Sequence, residues 1–265
     1  MRIAIDHRTR YRFTEPQARI VQMLRLTPSD TRDQTVVNWM VGVDCDARVR
    51  DASDGFGNAV TMLYAEGPIE AIDITVTGEV LTVESSGVIH GSVEPLDPMV
   101  YLRTTARTTL GDGLPAFAAE SMADGSDSLG RLHRLNAALH GRFPCVPDAP
   151  DTGLTAAEAF ARGRATSRDV AQMFIAAARS FEVPARYVSG YRIDETAQSA
   201  PHAWAEAHVE GLGWVGFDPA TGLSPDEGYV RVAVGLDALG AASIAGTRIG
   251  FGEEELDVAL RVSEE

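Results

Sequence analysis

The chain has 265 residues, enough for one large domain or two small ones, and either arrangement buries a substantial core. Hydrophobic residues make up 45% and charged residues 23%, the balance of an ordinary soluble globular protein. A formal net charge of −15 argues against nucleic acid or an anionic membrane as partner, because both are bound through basic surfaces.

The two cysteines, Cys45 and Cys145, form neither a disulfide framework nor a CxxC pair, which suits a reducing compartment. Residues 1–13 alternate like a strand and hold no apolar signal core. No apolar run reaches the roughly 20 residues a spanning helix needs. A cytoplasmic protein without a membrane partner is the expectation.

Residues 1–88 read as β-rich. Segments 2–7 and 11–13 look like two arms of a short meander, and 22–28 and 36–43 alternate. Residues 54–58 make a turn, and 69–83 is β-branched with two-residue periodicity. Several short strands with regular turns predict a sandwich, read here as a packing and positioning module.

Residues 89–128, with Pro95, Pro98 and Pro115, read as a linker followed by one or two short helices. A helix over 129–140 puts Leu132, Leu135 and Leu139 on one side. His133 and His140 lie seven positions apart on it. They read as solvated surface residues, since no third metal ligand stands at a suitable spacing. Cys145 falls in an irregular proline-rich stretch over 143–151 and is not expected to be catalytic.

A short helix over 154–162 has Thr155 as N-cap and Glu158 three residues on. A second helix starts at Thr166 and Ser167, with Val170, Phe174, Ala177, Ala178 and Phe181 on one apolar face, and Pro184 ends it. Strands follow at 185–191, 202–209, 213–218, 229–234 and 256–262, with a polar loop over 192–201 and a glycine-rich stretch before the last strand. The whole reads as α+β.

Three residues in this second half bear chemistry. Thr166 and Asp169 fit a capping box, which places Ser167 in the first helical turn, where free N–H groups and the helix dipole favour an anion. A serine at a helix start is ordinarily a cap; as a nucleophile, Ser167 would need a general base. Along 202–209, His202, Trp204, Glu206 and His208 share one face, and Trp214, Gly216 and Asp218 share one along 213–218. If opposed residue numbers sum to 420, Asp218 lies directly across from His202; if they sum to 422, the two are diagonal neighbours still within reach. Trp204 and Trp214 read as wall and core residues. Arg168 and Gln172 line either the cleft or the surface.

The order of these residues, and the pattern HAW…GWVGFDP around His202 and Asp218, resemble the transglutaminase-like superfamily. The opening RYRF…EP…LRLTP and the turn DGFGN are similar to the N-terminal domain of its bacterial members. The resemblance implies a papain-like core over 89–265 after a β-rich domain over 1–88. It implies Ser167, His202 and Asp218 at the triad positions, with the Ser167 N–H in the oxyanion hole. The implied reaction is acyl transfer at an amide of a peptide or protein substrate, by hydrolysis or transamidation, with no metal or organic cofactor. The family's helix opens with cysteine in a GVCQDFAH-type motif, whereas residues 165–172 here read ATSRDVAQ. An inactive or weak enzyme is therefore expected. A non-catalytic peptide- or partner-binding member is the alternative, and a working serine amidase is a third reading.

Overall fold

Two long antiparallel strands, β1 (Arg2–Leu24) and β4 (Ala59–Thr82), carry the first sheet in the computed structural model, which describes residues 1–123, 127–147, 152–193 and 200–265. Residues 2–13 contain no Gly, Pro or Asn to turn the chain, so the expected meander is instead one continuous strand. Ile3, Ile5, His7, Thr9 and Tyr11 face inward, and after irregularities at Arg12/Gln17 and Gln17/Arg19 the buried set moves to Ile20, Gln22 and Leu24. One extra residue in a bulge reverses which face each later side chain takes.

The irregular region splits the sheet into halves. One half pairs β1 and β4 with β2 (Gln34–Val43) and β10 (Glu254–Glu264); the other pairs them with β3 (Ala47–Ser53) and β9 (Ile244–Ile249). Ile72, Ile74 and Val76 from the first half share one core with Ile20, Leu24 and Leu63 from the second. Two shared long strands thus do what several short ones were expected to do. The glycines around 235–252 hid β9 from the sequence reading. Residues 244–264 also cross the expected division at 88/89, since they pair with β1.

The second sheet runs β7-β6-β5-β8, all antiparallel: β5 (Ala185–Arg192), β6 (His202–Val209), β7 (Gly213–Phe217) and β8 (Tyr229–Gly235). Helices α1 (Leu114–Met122), α2 (Ser128–Arg142), α3 (Ala156–Arg162) and α4 (Ser167–Ser180) pack on one side of it. Ala203, Ala205 and Ala207 give α4 a flat bed, and Phe174 stacks on Phe217 at 5.0 Å. Helix α4 is buried from Asp169 to Arg179 on every side, not along a single stripe, because α1–α3 cover its outer surface. Phe181, expected on the apolar face, lies past the helix end and is 37% exposed. None of the helices is long and apolar enough to cross a membrane, among the described residues.

The first sheet is clamped to the second. Asp54 accepts the N–H groups of Phe56 and Asn58 in the 54–58 turn, and Asn58 bonds both backbone groups of Val234. Gln34 does the same to Arg231. A buried Asn or Gln that satisfies both backbone groups of one residue fixes register as a third strand would.

Candidate active site

Helix α4 begins as its sequence dictates. Thr166 Oγ1 accepts the Asp169 N–H at 3.4 Å, and Asp169 Oδ2 accepts the Thr166 N–H at 2.9 Å. The reciprocal cap satisfies two end groups and leaves the Ser167 side chain for another partner. Ser167 Oγ accepts the N–H of Ala203 at 3.1 Å, tying the helix start to the second residue of β6. Ser167 is 2% exposed.

His202 opens β6. In the β6–β7 ladder Ala205 opposes Phe217, so paired numbers sum to 422 and Asp218 is the diagonal neighbour of His202. His202 Nε2 lies 2.8 Å from Asp218 Oδ2. A carboxylate only accepts, so Nε2 carries the proton of that bond and Nδ1 is the ring nitrogen outside it. Burial by itself would push the Asp218 carboxyl up. The His202 charge and bonds from His202, Tyr229 and the Ala220 N–H outweigh it and hold the pKa below the usual carboxylate value. Asp218 is therefore an anion inside the protein.

Sequence reasoning missed Tyr229. Its hydroxyl donates to Asp218 Oδ2 at 2.8 Å, and burial next to that carboxylate raises its own pKa far above the ordinary phenol value. Nothing in the spacing of residues 218 and 229 announces the contact, because it depends on β8 joining the far edge of the sheet from β7. Trp204, expected in wall or core, lies nearly parallel to the His202 ring at 6.3 Å, while Tyr229 meets that ring edge-on at 5.9 Å. The imidazole is held between two aromatic side chains and one carboxylate.

Other candidates fall elsewhere. Gln172 is fully buried: its amide reaches the Leu154 carbonyl at 3.4 Å and the Ala238 N–H at 3.5 Å, so it braces loops inside the domain. Arg168 is half-buried and borders a cleft. Trp214 lies under Arg186, with the guanidinium carbon 3.8 Å from the ring centre. His133 and His140 are both exposed; His140 Nδ1 donates to the Ala220 carbonyl at 3.1 Å. Cys145 is exposed and bridges Ala165, two residues ahead of Ser167. Among the described residues no group of three His, Cys, Asp or Glu is placed to hold a metal ion. Residues 194–199 of the expected polar loop lie outside the described residues.

The fold and these contacts define a papain-like α+β core, with a hydroxyl at a helix start beside a histidine–carboxylate pair on the sheet. The chain belongs to the transglutaminase-like superfamily: residues 115–219 match that superfamily, and residues 3–81 match the bacterial transglutaminase-like N-terminal region. An uncharacterised protein of Mycobacterium leprae (strain TN) is 24% identical over 283 aligned positions, covering 99% of this chain and 98% of its own. Another uncharacterised protein, from Mycobacterium tuberculosis (strain ATCC 25618 / H37Rv), is 22% identical over 263, covering 89% and 84%. Among solved structures, a Cytophaga hutchinsonii protein provisionally assigned as a cysteine protease superposes with a TM-score of 0.78 at 19% identity. That match covers 99% of this chain and 90% of the other, and it establishes the shared fold.

Proposed function

We propose that this protein is built for acyl transfer at amide bonds of peptide or protein substrates, and that with Ser167 as nucleophile it turns over slowly or not at all. The observation that carries the reading is the 2.8 Å bond from His202 Nε2 to Asp218, beside a Ser167 hydroxyl tied to the first rungs of β6. In the reaction, His202 Nδ1 takes the hydroxyl proton as Ser167 Oγ attacks the carbonyl carbon. The Ser167 N–H, in the first turn of α4, faces the developing oxyanion. His202 then returns the proton to the leaving amine, which departs and leaves an ester on Ser167. Water or a second amine, deprotonated by His202, releases the acyl group.

Serine is the weak link. The helix end contributes about 0.3–1 kcal/mol to an anion, less than one pKa unit, which helps a thiol near 8.5 and cannot ionise a hydroxyl. A second reading rests on burial: Ser167, His202 and Asp218 are 2%, 5% and 0% exposed, so little of the three is open to a substrate, and a non-catalytic peptide- or partner-binding member is the alternative.

Ser167→Cys separates the readings. The acyl-transfer reading expects amidase or transamidase activity on a mixed peptide and amine panel, and a thiol that titrates below 8.5 and alkylates quickly. A slow, ordinary thiol with no turnover favours the silent relative. Strong turnover by the serine protein itself identifies a serine amidase.

A further inference from the structure

The β1–β10 register opposes Tyr11 to Leu256 and Thr9 to Val258, so one face of the first sheet presents Tyr11, Leu256 and Val258 to a cleft. Across it stand Tyr187 of β5 and the small side chains of Ser189 and Ala241. Arg168 and Pro201 also line it. These residues are bonded directly to Ser167 and His202, which places their Cα atoms about 3.8 Å from those of the two candidate catalytic residues. A substrate whose amide lies at Ser167 therefore has this cleft close beside it.

Several polar groups of its walls are already paired. His7 Nδ1 lies 3.0 Å from the Tyr191 hydroxyl and Nε2 lies 3.1 Å from Thr9 Oγ1, while Ser189 meets Ser243 at 3.3 Å. Burial lowers the His7 pKa to about 4, so this imidazole is neutral at pH 7. Arg168, the chain neighbour of Ser167, is itself engaged. Ile244, Leu256, Val258 and Ala241 give the cleft an apolar part as well. The cleft holds about 190 Å³, against roughly 150 Å³ for an apolar cavity that admits benzene.

We propose that this cleft is the substrate-selecting subsite, and that it takes an apolar side chain of leucine or phenylalanine size next to the amide facing Ser167. The proposal rests on the acyl-transfer reading for its choice of occupant. Its test needs no chemistry, so the two fail separately.

The experiment measures equilibrium binding of blocked pentapeptides, acetyl-Gly-Gly-X-Gly-Gly-amide with X as Phe, Leu, Asp or Lys, to the protein as it is. Burial of one such side chain predicts that the Phe and Leu peptides bind about tenfold or more tighter than the Asp and Lys peptides. Val258→Trp, at a half-buried wall position, should abolish that preference while thermal unfolding shows the fold intact. Leu256→Arg, at a position already 37% exposed, should shift the preference toward Asp. Equal binding of all four peptides, preference for Asp or Lys by the unaltered protein, or no change in preference with Val258→Trp would each overturn the proposal. Apolar preference combined with a Ser167→Cys variant that turns over nothing would support the subsite and remove the acyl-transfer reading.

Discussion

Two buried charged clusters lie on the same face of the second sheet, and they differ in kind. In one, Glu206 is fully buried and accepts from Arg186 Nε at 2.6 Å and Arg231 Nε at 2.7 Å, while Arg186 also reaches Glu94 at 2.9 Å. In the other, Asp218 holds His202 and Tyr229 at 2.8 Å each. Both place an anion in the interior and pair it fully. Guanidinium, though, never releases its proton near neutral pH, so the Glu206 cluster is locked in one charge state. Imidazole exchanges a proton in that range, and only the His202 pair has a nucleophile candidate at a helix start beside it. Buried charge alone therefore does not mark a site; a proton that can leave does.

The largest contrast comes from cutting one member of each cluster. In the Ser167→Cys background, His202→Ala should lower turnover by roughly three to four orders of magnitude, because orientation and proton transfer are lost together. It should also cost about 1–3 kcal/mol of stability by leaving the Asp218 carboxylate short of one partner. Glu206→Gln should weigh the other way, costing about 3–5 kcal/mol by leaving the buried Arg186 and the half-buried Arg231 short of charge, while turnover per folded molecule holds. Turnover assays paired with urea unfolding read both. If Glu206→Gln removed activity at full stability, the division between the clusters would be wrong.

Acid unfolding sharpens the same division. Burial lowers the folded pKa of His7 to about 4, below the unfolded value near 6.5, so the unfolded chain binds the proton first. His7 therefore makes stability fall as pH drops from about 6.5 to 4, by on the order of 3 kcal/mol in all. For Glu206, burial opposes the charge, but Arg231 and Arg186 outweigh it and bring the pKa to about 2. Its contribution is complete above the unfolded value near 4.3 and is lost as pH falls toward 2, with Asp218 adding to that lower limb. A plot of stability against pH should show both limbs. His7→Gln should flatten the upper one and Glu206→Gln the lower.

How much of this was legible beforehand divides along a physical line. The α4 start was, since Thr166 and Asp169 form a local motif needing no tertiary partner. The parity of the 202–218 hairpin was as well, because alternation admits only even sums for a contact between His202 and Asp218. The partners of Glu206 were not: its alternation with Trp204 and His208 names no partner for the carboxylate, and Arg186 and Arg231 arrive from strands β5 and β8. Tyr229 was hidden for the same reason, and the length of β1 because no residue type announces a strand that simply continues.

The smallest expected effects fall on the two tryptophans, and they separate the clusters most cleanly. Trp204 lies 6.3 Å from the His202 ring, whereas Trp214 carries the Arg186 guanidinium 3.8 Å above its centre and is 5% exposed. Phenylalanine at either position keeps an aromatic face and removes part of the contact. Trp214→Phe weakens a desolvated cation–π pair and should cost about 1 kcal/mol of stability without touching turnover. Trp204→Phe leaves a gap against the imidazole, so His202 samples orientations away from Ser167. In the Ser167→Cys background its turnover should fall severalfold, with a smaller change in KM, because alignment of the base is felt in the reaction step. Both changes remove similar apolar area, so packing alone predicts similar stability losses and equal indifference of kcat. A larger fall in kcat from Trp214→Phe than from Trp204→Phe would place the working proton in the arginine cluster and end the distinction drawn between the two.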